Sequence, residues 1–87
     1  MRDKLFAQKF GYTVRHLRRQ AGFSQEELAE RCCLHRTYIG LIERGERAIT
    51  IETASKIAKV LGMPLSKFFE QVEMIPDTAE TINLSGE

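Results

Sequence analysis

The sequence is poor in cysteine, in long apolar runs and in net charge, and each shortage excludes something. Its two cysteines, Cys32 and Cys33, are neighbours in the chain, so there is no disulfide framework. Met1-Arg2-Asp3-Lys4-Leu5 lacks the apolar stretch of a secretory leader. No apolar run approaches the roughly 20 residues that span a bilayer. Together these shortages point to the cytosol and away from any membrane. Enzyme chemistry finds no foothold either. There is no glycine loop to cradle a phosphate, no paired-carboxylate site and no nucleophile beside a base. No cofactor and no small-molecule ligand is implied. Repeats and low-complexity tracts are absent too. What is there amounts to 87 residues, one compact domain whose core is small enough to gain from a second subunit.

The net charge of +1 hides an asymmetry. From Glu70 to Glu87 there are five acids and no lysine or arginine, which leaves residues 1–69 at +6. Arg2, Lys4, Lys9, Arg15, Arg18 and Arg19 face a single Asp3 in the first twenty residues. A basic body with an acidic tail is compatible with a polyanionic partner, although a solvated charged surface has the same composition.

Apolar spacing predicts an all-α chain of five helices, with no strand legible. Leu5, Phe6, Phe10, Val14 and Leu17 predict a first helix over about 4–20, stopped by Gly22. Ser24 and Glu27 form a capping box that opens a second helix with Leu28, Ala29 and Cys32 inward. A third runs from His35 or Arg36 to Arg44, stopped by Gly45. Thr50 caps a fourth, with Ile51, Ala54, Ile57, Ala58 and Leu61 as its stripe. Pro64 suits the first turn of a fifth, which carries Leu65, Phe68, Phe69 and Val72. His16 is expected to face solvent. Residues 1–74 form the predicted domain, and 75–87 a short acidic C-terminal tail, polar and mobile.

Residues 25–44 fit two short helices packed across one another. Leu28 anchors the first and Ala29 is small where they cross. Cys33 takes the left-handed position of the turn, Leu34 plugs it, and Ile39 and Ile42 anchor the second. Here the chain resembles the Cro and lambda-type (XRE-like) repressor family of helix-turn-helix proteins. The resemblance is carried by Leu17-Arg18-Arg19, Gly22-Phe23-Ser24-Gln25-Glu26-Glu27-Leu28-Ala29, Tyr38-Ile39, Ile42-Glu43-Arg44-Gly45 and Ile57-Ala58-Lys59-Val60-Leu61-Gly62. It covers about residues 5–72. Arg36-Thr37-Tyr38-Ile39, followed by Ile42-Glu43-Arg44 and Arg47, looks most like the controller proteins of restriction–modification systems. Departures are Cys33, where glycine or asparagine is usual, His35 in place of a serine or aspartate cap, and Leu41 on the outward face.

The resemblance implies a five-helix, repressor-like DNA-binding domain that regulates transcription as a homodimer on double-stranded operator DNA. It also implies an ion pair between Arg18 and Glu43, and a phosphate contact at Gln25 that the positive helix end would favour. With Ile39 and Ile42 inward, Arg36, Thr37, Gly40 and Leu41 face the bases. Arginine suits guanine, threonine and leucine suit a thymine methyl, and glycine permits close approach. Tyr38, Arg44 and Arg47 are candidates for the phosphates. The alternatives are a packing tyrosine, solvated arginines and, for Leu41, burial at a protein contact. An antitoxin-like or adaptor module that binds mainly protein is therefore the rival reading.

Cys32, Cys33 and His35 invite a metal reading, but a structural zinc needs a fourth ligand and Cys32 is needed by the core, so no metal is expected. Leu65, Phe68, Phe69 and Val72 offer more apolar surface than one terminal helix needs, and they are the candidate dimer interface. Phe68 and Phe69 point about 100° apart on a helix; which of them is outer stays open. Met74, Ile75, Ile82 and Leu84 are the alternative interface.

Overall fold

The computed structural model describes residues 2–77, with side chains from residue 4 onward. Among these residues there are five helices and no strand: α1 (Arg2–Gln20), α2 (Gln25–Cys32), α3 (Arg36–Glu43), α4 (Ile51–Val60) and α5 (Leu65–Glu73). Ile82 and Leu84, and most of the predicted acidic tail, lie outside the described residues. None of the helices is long and apolar enough to cross a membrane.

The turns follow from local chemistry. Ser24 and Glu27 make the reciprocal capping box: the Ser24 hydroxyl accepts from the Glu27 N–H at 3.0 Å, and the Glu27 carboxylate accepts from the Ser24 N–H at 2.8 Å. Two orphan donors at the start of α2 are thereby satisfied. Its other end closes on Cys33 at φ 59°, ψ 42°. The Cys33 N–H donates to the Glu30 carbonyl and the Leu34 N–H to the Ala29 carbonyl. This is the paired closure usually given to glycine, carried here by a cysteine.

At α3, His35 replaces the usual hydroxyl or carboxylate cap by accepting the Thr37 N–H on Nδ1 at 3.1 Å. The helix therefore begins at Arg36. Thr50 caps α4 through the Thr53 N–H. Pro64 caps α5 from outside, one residue earlier than the first turn the sequence suggested for it.

The core is one cluster in which Phe10 and Val14 of α1, Leu28, Ala29 and Cys32 of α2, and Ile39 and Ile42 of α3 meet Ala54, Ile57, Ala58, Phe68 and Val72. α1 packs on α3 and α5, α2 packs on α3 and α4, and α4 packs on α5. Gly11 sets the α1–α3 distance, because a Cβ there would lie 2.2 Å from the Ile42 carbonyl oxygen. The predicted stripe of α4 needs one correction. Ile51 is 67% exposed: it opens the helix, a turn before the residues that reach α2 and α5.

Candidate nucleic-acid interface

The site is the face of α3 that the core leaves outside. Burying Ile39 and Ile42 completely fixes the rotation of the helix. Arg36, Thr37 and Arg44 are then exposed, Leu41 and Tyr38 are half-buried, and Gly40 lies under its neighbours. The four candidate base-reading residues thus share one helix, but with unequal access. Arg36 and Thr37 stand clear at its N-terminal end. Leu41 shares a recess of about 600 Å³ with His35, Thr37, Tyr38 and Arg47.

The candidate phosphate ligands flank this face on both sides. The Arg47 guanidinium lies over the Tyr38 ring, 5.7 Å from its centroid, which restrains two long side chains in one corner. Arg44 is held by Glu46, Nε to Oε1 at 3.3 Å, with both side chains about half exposed. Gln25 sits half-buried at the first turn of α2. Its Nε2 donates to Glu43 Oε1 at 3.0 Å.

The Arg18–Glu43 pair is present. Arg18 Nε donates to Glu43 Oε2 at 2.6 Å and Nη2 to Oε1 at 3.1 Å, while Nη1 reaches the Phe23 carbonyl at 2.8 Å. One buried carboxylate therefore ties together the ends of α1 and α3 and the start of α2. The bond from Gln25 to Glu43 and the Glu46 partner of Arg44 carried no signal in the sequence. Both are contacts between polar side chains, which apolar periodicity does not encode.

The candidate dimer residues divide. Phe68 and Val72 are consumed by the core, Phe68 meeting Phe10 edge-on at 5.0 Å. Both side chains are spent within this chain, and of the two phenylalanines Phe69 is the outer one. Leu65 and Phe69 are half-buried. Phe69 stacks on Phe6 at 6.2 Å, and Phe6 itself is 47% exposed. The outer apolar surface of α5 therefore continues onto α1, through a residue whose helical spacing alone does not tell rim from core. His16 is exposed and lies parallel to Tyr12. Cys32 is buried, and burial, reinforced by the neighbouring Cys33, pushes its thiol pKa up against the opposing pull of Lys56. Cys33 is exposed.

Two short helices about a left-handed turn, the second with a polar face turned outward, define a helix-turn-helix unit, and residues 14–68 match that family: this chain belongs to the helix-turn-helix family. It is 49% identical over 55 residues to control protein C.BamHI of Bacillus amyloliquefaciens, a stretch covering 62% of this chain and 68% of that one. Among solved structures it is similar to the restriction–modification controller protein C.AhdI from Aeromonas hydrophila, with TM-score 0.70 and 38% identity over 72% of this chain and 96% of that one. It is likewise similar to the controller protein C.Esp1396I, whose tetramer is known in complex with its natural 35 base-pair operator. That likeness has TM-score 0.73 and 35% identity over 78% of this chain and 90% of that chain.

Proposed function

We propose that this protein is a sequence-specific transcriptional regulator of the restriction–modification controller kind, binding a near-palindromic operator as a homodimer. One observation carries the reading: the core fixes α3 so that the side chains of Arg36 and Thr37 are exposed at its leading end. An arginine there is suited to two bonds with guanine O6 and N7, and a threonine to a thymine methyl. Gln25, Tyr38, Arg44 and Arg47 surround this face with donors for phosphate oxygens, which set register without reading sequence. A two-fold dimer places its two α3 helices in successive major grooves, about 34 Å apart. The protein acts by occupancy of DNA in the cytosol, beside or across a promoter, and needs no catalytic step.

The test is selection of duplexes from a random pool by the purified chain, followed by sequencing. The expected product is an inverted repeat with half-site centres about 10 base pairs apart. Retention on DNA should weaken steeply with salt. No enrichment, with no salt-sensitive retention, overturns the reading in favour of a module that binds protein.

A further inference from the structure

The buried carboxylate of Glu43 has a task beyond its ion pair. Its side chain is nearly inaccessible, at 3% exposure. Oε1 accepts two N–H groups, from Arg18 Nη2 at 3.1 Å and from Gln25 Nε2 at 3.0 Å. A primary amide has a donor end and an acceptor end, and a carboxylate tolerates only the donor end. Glu43 therefore fixes which way the Gln25 amide is turned. Nε2 spends one hydrogen on Glu43 and keeps the other, while Oε1 is directed to the Gly40 side.

Gly40 makes room for this arrangement. A Cβ at Gly40 would lie 3.7 Å from Gln25 Oε1 and 3.3 Å from Arg44 Nη1. Those two atoms are thus no more than about 7 Å apart, across a helix surface without a side chain. On this flank only Arg44 Nη1 can donate to an anion, because Gln25 Oε1 is an acceptor; Gln25 can meet a phosphate only through the second hydrogen on Nε2.

We infer that Glu43 is a positioning residue for DNA binding, holding the Gln25 amide so that the second hydrogen on Nε2 is presented to a backbone phosphate. The inference rests on the DNA-binding reading above. Arg18 neutralises the carboxylate, so that its charge can sit near the DNA backbone without repelling it. The effect passes from α1 through α3 to the first turn of α2, so a residue that never touches DNA governs a contact that does.

The experiment is a double-mutant cycle read by fluorescence anisotropy on a random-sequence duplex at low salt. Gln25→Ala is made in the parent and in Arg18→Met/Glu43→Leu, which removes the pair without stranding a charge. Loss of a hydrogen bond to a charged phosphate should weaken the parent on the order of tenfold. In the apolar background the same change should cost less than about twofold, because the amide is no longer held. An equal cost in both backgrounds overturns the inference and leaves the DNA-binding reading standing, as does a parent that binds DNA unaffected by Gln25→Ala. A parent that binds no duplex overturns both.

The side-chain amide of Gln25, followed by nuclear magnetic resonance in the parent, keeps the inference testable if the apolar background does not fold. Two resolved protons, one of them shifting when duplex is added, support it. A freely averaging amide that ignores DNA overturns it.

Discussion

Arg18, near the end of α1, grips Glu43 at the end of α3 through two N–H bonds from one guanidinium, and both side chains are buried. Burial makes the two changes asymmetric. Glu43→Leu alone leaves a guanidinium without its counter-charge, and should destabilise the fold by about 3 kcal/mol. Arg18→Met/Glu43→Leu leaves no charge behind and should recover most of that loss, since apolar replacement of a buried pair is often neutral. Urea denaturation of the parent and both variants checks this. A double variant as weak as the single one would mean that the bond to the Phe23 carbonyl, not the charge, carries the stability.

Cys33 is the single non-glycine residue with positive φ among the described residues. An L side chain there costs about 1–2 kcal/mol that glycine does not pay. Glycine is freer in the unfolded chain, which returns part of the gain. Cys33→Gly should therefore stabilise by about 0.5–1 kcal/mol, measured by thermal or urea melts. The two thiols should also separate chemically. An alkylating reagent should label Cys33 at once and Cys32 only as fast as the fold opens. Because the folded pKa of Cys32 is raised above its ordinary value of 9.0, the stability tied to it is present below that pH and is lost as pH rises through the folded value. A Cys33→Gly variant, with its single thiol, should resist labelling at neutral pH and unfold more readily above pH 9 than a Cys33→Gly/Cys32→Ala variant.

Much of this molecule was legible beforehand because its design is local. Ser24 with Glu27, Thr50, and glycines 22, 45 and 62 each announce a helix end within a few residues, and each does what its chemistry suggests. Cys33 was legible for a different reason: it occupies the turn position of the two-helix pattern, where glycine or asparagine is usual, and it does take the left-handed conformation. Helical spacing failed where one turn is shared between core and surface. Ile51 and Phe6 lie on apolar stripes, yet the first opens its helix outside the core and the second stacks on Phe69 at the rim. Phe68 and Phe69 could not be told apart, because neighbours 100° apart both fit a wide stripe. The polar network around Glu43 joins residues 18, 25 and 43, and only its first link was implied by resemblance.

Gly11 and Gly40 are both helical glycines, and replacing each by alanine should have opposite results. At Gly11 the new Cβ meets backbone atoms of α3, with the Ile42 oxygen 2.2 Å away, so the helices must part. Overpacking of this kind costs about 1–3 kcal/mol or more. At Gly40 the nearest atoms are the ends of flexible side chains, and alanine favours the helix by up to about 1 kcal/mol. Gly40→Ala should therefore melt no lower than the parent, yet bind DNA more weakly because Gln25 and Arg44 are pushed aside. A Gly40→Ala variant with unchanged affinity would show that close approach at this position is unnecessary.

Arg36 is exposed at the first turn of α3. If it reads a guanine, Arg36→Ala should lower specific affinity by about 1–3 kcal/mol and relax the preference at one base pair in each half-site. Competition between operator variants measures the preference directly. Affinity that falls evenly for all sequences, together with a shallower salt dependence, would assign Arg36 to a phosphate instead.

Phe68 and Phe69 test the assembly, since they are adjacent and occupy opposite environments. Phe68 is fully buried against Phe10, so Phe68→Lys should unfold the chain, placing a charge in the core. Phe69 is half-buried and continues outward into Phe6. Burying such a ring against a mate contributes about 1.5–3 kcal/mol per side chain. Phe69→Lys should leave the helical circular dichroism intact while sedimentation reports a monomer. Operator affinity should then fall steeply, because two half-sites no longer bind as one unit, while weak half-site binding persists. If Phe69→Lys remains a dimer with parental affinity, the interface lies on another apolar surface. Ile51 is then the residue to change next, because at 67% exposure it is an isoleucine that the chain's own core does not use.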